Sequence, residues 1–67
     1  MKSSYFNVQI EAYQDGTVRA AVIRSRQAER QPADKYKRDP GREIFSLWYG
    51  TEKEAQGAAM EALDLNK

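Results

Sequence analysis

The Asp-Gly dipeptide at residues 15–16 separates two segments of alternating polarity, and it restricts the fold of this chain more than any other feature. Before it, YFNVQIEAY (residues 5–13) places apolar side chains at every second position, and TVRAAVIRSR (residues 17–26) follows it. Period-two alternation is typical of a half-buried strand. Asp-Gly favours a tight turn between strands because its residues tolerate positive φ. The two segments therefore predict a β-hairpin.

The turn also predicts how the two strands pair. If Asp15 and Gly16 are the only loop residues, counting outward pairs Ile10 with Ala21 and Val8 with Ile23. We then expect a core face of Phe6, Val8, Ile10, Ala12, Ala21 and Ile23. The opposite face would carry Tyr5, Asn7, Gln9, Glu11, Tyr13, Val18, Ala20, Val22, Arg24 and Arg26. A shift of one residue would exchange the two sets.

The C-terminal half predicts a third strand followed by a helix. EIFSLWY (residues 43–49) is rich in aromatic and β-branched residues, as strands are. Thr51 with Glu54 three positions later forms a capping-box pattern that begins a helix. The helix is expected over residues 52–64, and its stripe towards the sheet is Ala55, Ala58, Ala59, Ala62, Leu63 and Leu65.

Between the hairpin and the third strand lies QAERQPADKYKRDPGR (residues 27–42), which has two prolines and no apolar period. It reads as a long, exposed, mobile loop. The predicted fold is therefore α+β, with one domain over residues 1–67. It is a three-stranded antiparallel β-meander with one C-terminal helix packed on one face (β-β-β-α). The strands are expected at about residues 5–13, 17–26 and 43–49.

Composition argues against most enzyme chemistry. The chain has no cysteine and no histidine, so it lacks thiolate ligands, disulfides and the commonest general base. The four glycines are dispersed and form no phosphate-binding loop. We expect a non-enzymatic protein without catalytic residues, cofactor or metal. No apolar stretch is long enough to cross a bilayer, and the N-terminus lacks the apolar region of a signal peptide, so a cytoplasmic location is expected.

Charge is unevenly distributed although the net charge is only +1. Eight of the eleven basic residues lie between Arg19 and Arg42, together with three acidic ones. Five acidic residues lie from Glu43 onwards. The middle of the chain is therefore basic and the predicted helix is acidic.

The sheet face away from the helix is predicted to be apolar enough to form an interface. Its apolar residues would be Tyr5, Tyr13, Val18, Ala20, Val22, Ile44 and Trp48. Three partners remain open: a second copy of the chain in a homodimer, another protein, or nucleic acid. A fourth interpretation is that sheet twist and the long loop cover most of this face.

The segments "VRAAVIRSR", "EIFSLWYGT" and "EKEAQGAAMEAL" resemble the three-stranded sheet plus helix of the arm-binding domains of phage and transposon integrases. They also resemble the related ethylene-response-type DNA-binding domains of plants. The resemblance implies that the helix-free sheet face enters the DNA major groove. By position it implies contacts from Arg24, Arg26 and Trp48. Arg19 is expected on the helix side, because the predicted hairpin register places it there.

Two functions follow as hypotheses. The first is a small nucleic-acid-binding module that uses the helix-free face and the basic loop. The second is a stand-alone protein-interaction module, such as a small phage or mobile-element accessory protein or inhibitor that docks on a host complex. Candidate contact residues for nucleic acid or a protein partner are Tyr5, Tyr13, Arg24, Arg26, Lys35, Tyr36, Lys37, Arg38, Arg42 and Trp48.

Overall fold

A hairpin with one more loop residue than expected begins the fold. The computed structural model describes residues 1–64. Strand β1 (Ser3–Tyr13) and strand β2 (Val18–Ala28) are antiparallel. The Tyr13 N–H donates to the Thr17 carbonyl (2.8 Å), and the Gly16 N–H donates to the Tyr13 carbonyl (3.0 Å). Residues 14–16 thus form a three-residue loop, in which a turn is followed by Gly16 at φ 94°.

The longer loop makes the predicted register wrong in the half of the hairpin next to the turn, from Val8 to Ala12. Ile10 pairs with Ala20 and Val8 with Val22, one position away from the expected partners. As a result, Val18, Ala20 and Val22 point towards the helix. These three residues are half-buried, and the residues that alternate with them along β2 are exposed. A one-residue change in register exchanges the two faces of a strand. The prediction of a two-residue loop therefore assigned the residues of β2 nearest the turn to the wrong faces.

A β-bulge then restores the predicted register at the far end of the hairpin. Val8 pairs with Val22, but Asn7 pairs with Arg24, so Ile23 is an extra residue in β2. A bulge places two residues opposite one and reverses the alternation beyond it. Phe6 therefore faces Ser25, as predicted. Ile23 was predicted to lie in the core, but 49% of its surface is exposed.

Within residues 1–64 the sheet has four strands rather than three, and it is not a simple meander. Strand β3 (Lys35–Asp39) forms from residues predicted to be loop, and it pairs with strand β4 (Arg42–Tyr49) across Pro40-Gly41. Gly41 adopts φ 84° in that turn. The strand order is β2-β1-β4-β3, so β1 lies in the interior and pairs with β2 and β4. Of the predicted mobile loop, the inter-strand connection that remains is residues 29–34.

The predicted C-terminal helix is confirmed as α1 (Glu52–Asp64). The Glu54 N–H donates to the Thr51 hydroxyl (3.1 Å), as the capping pattern predicted. The helix lies on β1 and β2, touches β4, and makes no contact with β3 within residues 1–64. Of the predicted stripe, Ala55 and Ala59 are buried and Leu63 is 41% exposed; Leu65 lies outside the described residues.

The core beneath the helix is small. Val8, Ala55 and Ala59 form its centre. The surrounding half-buried side chains are Phe6, Ile10, Ala20, Val22 and Tyr49. Alanine at the helix contact lets the helix backbone approach the sheet, and the larger sheet residues fill the remaining volume. No helix within residues 1–64 has the length and apolar character that crossing a membrane requires.

Two glycine-to-alanine substitutions should have opposite effects on stability. Gly16→Ala forces a side chain into φ 94°, so we expect a loss of about 1–2 kcal/mol in the free energy of unfolding. Gly57→Ala lies in the helix interior, where an added Cβ would meet open space, so a gain of up to about 1 kcal/mol is expected. Urea denaturation followed by circular dichroism measures both changes. Equal stabilities of the two variants would contradict this account of the turn.

Candidate functional site on the helix-free sheet face

The sheet face opposite α1 collects most of the basic side chains of the four strands. Val8 is fully buried beneath the helix, so its neighbours Asn7 and Gln9 point the other way. Residues paired across antiparallel strands share a face. The pairings of β2 and β4 with β1, and of β3 with β4, therefore assign the residues of every strand to one face of the sheet. The cations on this helix-free face are Arg19, Arg24, Arg26, Lys35, Lys37 and Arg42. Its carboxylates are Glu11 and Asp39.

The bulge in β2 explains why three arginines of that strand share one face. Arg19 pairs with Glu11 before the bulge, and Arg24 and Arg26 pair with Asn7 and Tyr5 after it. Uninterrupted alternation from Arg19 would have turned Arg24 and Arg26 towards the helix. The extra residue Ile23 reverses the alternation and keeps all three on the helix-free face.

Asn7 links three strands at the centre of this face and is fully buried. Its Nδ2 donates to the Ser46 hydroxyl (2.9 Å) and to the Leu47 carbonyl (2.9 Å), both on β4. Its Oδ1 accepts a hydrogen bond from Arg24 Nε (3.2 Å) on β2. The amide therefore has partners for both of its ends, as a buried polar group requires, and it fixes the position of Arg24.

Trp48 lies on the helix-free face, as the alternation of residues along β4 predicted, but its side chain is not exposed for contact with a partner. Only 7% of its surface is exposed, and the guanidinium carbon of Arg24 lies 5.7 Å from the centre of its ring system. The backbone N–H of Trp48 donates to Asp34 Oδ1 (2.9 Å), and its backbone carbonyl accepts from Gln31 Nε2 (2.8 Å). Because β3 begins only opposite Ser46, the connection at residues 29–34 supplies these partners.

Glu11 organises a second polar cluster, nearer the β1–β2 turn. It accepts hydrogen bonds from the Tyr13 hydroxyl and from Gln9 Nε2 (2.8 Å), and Arg42 Nη1 lies 3.4 Å from its Oε2. The pKa of the Glu11 carboxyl is lowered below its usual value, mainly by the hydrogen bond from Tyr13 and next by the one from Gln9. The positive charges of Arg42 and Arg19 lower this pKa further, and partial desolvation of the carboxyl opposes these effects. Glu11 therefore stays ionised and holds Tyr13 and Arg42 in place.

The basic side chains of the face differ in how far their charge is compensated. Arg42 contacts both Glu11 and Asp39, and Lys37 Nζ lies 3.7 Å from Asp39 Oδ1. Within residues 1–64, Arg26 and Lys35 form no ion pair, and both are exposed. Arg19 is also exposed, and its guanidinium lies over the Tyr13 ring at 5.8 Å. The uncompensated positive charge is therefore concentrated on the two edge strands.

The structure brings together eight of the ten residues that the sequence predicted as contacts. On the helix-free face lie Tyr5, Tyr13, Arg24, Arg26, Lys35, Lys37, Arg42 and Trp48. Tyr36 and Arg38 point to the other side, because β3 is a strand and its residues alternate. The Tyr36 hydroxyl donates to Glu43 Oε1 (2.9 Å), and its ring lies 5.0 Å from that of Phe45.

Arg19 is the cation of β2 that the predicted register placed on the wrong side of the sheet. Its position depends on the register, and the register depends on the loop of residues 14–16. The signal was present in the sequence, because glycine also suits the third position of a three-residue loop. The Asp-Gly pair alone did not distinguish the two loops.

The opposite side of the molecule carries acidic groups. Glu52 and Glu54 lie in the first turn of α1 with Glu61 and Asp64 further along, and all four are exposed. Acidic groups suit the N-terminal turn of a helix because they interact favourably with its dipole. The two sides of the sheet thus differ in sign. The helix-free face offers guanidinium and ammonium donors, which suit phosphate or carboxylate groups.

In the part of the chain that the structure describes, no three acidic, histidine or cysteine side chains come together as metal ligands. Comparisons of the chain with protein-family models, curated proteins and solved structures found no match.

Replacing Asn7 should destabilise the sheet. Asn7→Ala leaves the Ser46 hydroxyl, the Leu47 carbonyl and Arg24 without this partner, so we expect a loss of about 1–3 kcal/mol in the free energy of unfolding. Gln56→Ala, at an exposed helix position, is the control and should change stability by less than about 0.5 kcal/mol. Urea denaturation of both variants checks this. A loss no greater than that of the control would show that the buried amide is not required.

Glu11 should make stability sensitive to acid. Because folding lowers its pKa, its stabilising contribution is complete above the ordinary glutamate value of about 4.3 and is lost as the pH falls through the lower, folded-state pKa. We expect the urea midpoint to fall as the pH is lowered below about 4.3, and to fall less in Glu11→Gln. Glu61→Gln removes an exposed helix carboxylate as a control. Equal slopes for Glu11→Gln and the unchanged protein would contradict this role.

Proposed function

We propose that this chain is a non-enzymatic protein that binds nucleic acid with its helix-free face. The observation that carries the proposal is the segregation of charge within residues 1–64: the strands place six cations and two carboxylates on one side of the sheet, and an acidic helix lies on the other. Such a distribution orients the protein, because a polyanion is attracted to one face and repelled from the other. Arginine side chains also bond phosphate oxygens in a bidentate manner.

The number of uncompensated cations limits the expected affinity. Arg19, Arg24, Arg26 and Lys35 have no carboxylate partner among residues 1–64, so about four phosphates can be neutralised. The logarithm of the binding constant should therefore fall with the logarithm of salt concentration with a slope of about −3. This describes a modest, salt-sensitive binder.

The resemblance to the sheet-plus-helix DNA-binding domains supports binding through the helix-free face, but the strands of this sheet are arranged differently. The strand "VRAAVIRSR" and the strand "EIFSLWYGT" belong to β2 and β4, and β1 lies between them. Trp48, one of the three contact residues implied by the resemblance, is buried. Arg24 and Arg26 remain as exposed candidates, and the proposal depends on them and on the rest of the basic set.

A second candidate is protein binding through the helix side of β3. The helix makes no contact with that strand within residues 1–64, and Tyr36 is 54% exposed beside Phe45. A large exposed aromatic residue is a common anchor of protein interfaces. By contrast, a sheet-to-sheet homodimer gains little from the helix-free face, because Val18, Ala20 and Val22 point away from it.

Neutralising two unpaired cations tests the proposed nucleic-acid function. We expect Arg26→Gln combined with Lys35→Gln to weaken binding of a fluorescently labelled oligonucleotide by about tenfold at about 50 mM salt and to reduce the salt slope by about two. Fluorescence anisotropy measures both quantities.

Lys53→Gln on the helix is the matched control, because it removes a cation from the acidic side. Its affinity should equal that of the unchanged protein. Absence of binding to any nucleic acid at about 50 mM salt, where counterion release is most favourable, would overturn the proposal.

A further inference from the structure

We infer that the helix-free face takes single-stranded nucleic acid, laid along β2 with its bases stacked on three arginine–aromatic pairs. This inference rests on the proposed nucleic-acid function and names the class of ligand. The three pairs are Arg19 with Tyr13, Arg24 with Trp48 and Arg26 with Tyr5. In the first two, the guanidinium carbon lies 5.8 Å and 5.7 Å from the ring centre, and the members of the third are direct partners across β1 and β2.

The pairs form one row rather than scattered contacts. Their arginines all lie on β2 and are exposed, and their β1 partners Glu11, Asn7 and Tyr5 share one face of β1 at separations of four and two residues. The distance from Glu11 to Tyr5 along β1 is about 20 Å at roughly 3.3 Å per residue. A row of cations beside aromatic rings is the arrangement that follows a single-stranded backbone and stacks its bases.

The three aromatic rings have two different parts in the row. The Trp48 indole is buried beneath Arg24, so it supports the guanidinium rather than a base. The Tyr13 ring likewise carries Arg19, and bases stack readily on guanidinium planes. Tyr5 is half-buried, and its ring is the direct stacking surface. The cluster around Asn7 holds Arg24, and the cluster around Glu11 holds Tyr13, before any ligand binds.

Duplex DNA fits the face less well. Three spacings of about 4.8 Å separate β2 from β3, which gives about 14 Å between the edge strands before side chains are added. The major groove is about 12 Å wide and admits a two-stranded ribbon. In addition, the central amides cannot read base edges, because Asn7 is fully buried and Gln9 is bonded to Glu11. A duplex would meet the face through phosphates alone.

Anisotropy titrations of the full chain distinguish the ligands. The probes are a labelled single-stranded DNA of about 12 nucleotides, the RNA of the same sequence, and the DNA annealed to its complement, each at about 50 and 200 mM salt. We expect the single strands to bind at least about tenfold more tightly than the duplex. Binding of both single strands, or of RNA or DNA alone, supports the inference and identifies the sugar that is accepted.

Two charge-preserving variants test the stacking row. Tyr5→Leu removes the ring, and Arg26→Lys keeps the charge but removes the plane. We expect each to weaken single-strand binding about five- to tenfold and to leave the salt slope and the duplex affinity unchanged. Tyr36→Leu, on the other side of the sheet, is the matched control. Thermal denaturation of each variant confirms that it is folded at the assay temperature.

The outcomes separate the inference from the function on which it rests. Duplex binding equal to or tighter than single-strand binding overturns the inference and leaves the proposed function standing. Single-strand binding unaffected by both Tyr5→Leu and Arg26→Lys overturns the stacking row in the same way. No binding to any of the three probes at about 50 mM salt overturns both.

Discussion

The register between β1 and β2 is the constraint on which the rest of the structure depends. Two single-residue irregularities set it: the third residue in the loop at 14–16 and the extra residue Ile23. The first turns the small apolar side chains of β2 towards the helix, where they meet the alanine face of α1. The second reverses the alternation, so that the arginines beyond Ile23 join Arg19 on the other side. The apolar core and the basic face therefore both depend on these two extra residues.

The sheet is stabilised from both sides by different interactions. On the helix side, Val8 and the helix alanines form a small apolar core. On the other side, Asn7 binds groups on β2 and β4 and is as fully buried as Val8. A buried polar group with all its partners costs little and favours one arrangement over others. In a chain this short, where one small apolar core contributes limited stability, this polar layer specifies the strand pairing next to the bulge.

Local signals in the sequence predicted the helix and the hairpin strands, and non-local contacts account for the errors. The Thr51 cap acts within one turn of helix, so the pattern at Thr51 and Glu54 was sufficient. Strand β3 was missed because KYKRD has no apolar alternation; it is a strand because β4 pairs with it. The burial of Trp48 was missed because Gln31 and Asp34, which bond its backbone, come from a segment with no pattern of its own. Eight contact candidates still share a face, since alternation and the bulge compensated for the register error.

The positions of the cations on β2 and β3 have a further consequence for how the edges of this sheet meet other chains. These are the two edge strands of the sheet, and an edge strand with free backbone groups is a template for pairing with another chain. Charged side chains and a bulge are the usual protection against such pairing. Arg24, Arg26, Lys35, Lys37 and the bulge at Ile23 supply that protection here. The same side chains that give the face its charge therefore also act against aggregation. Removing charge from these edge strands would make the protein more prone to aggregate.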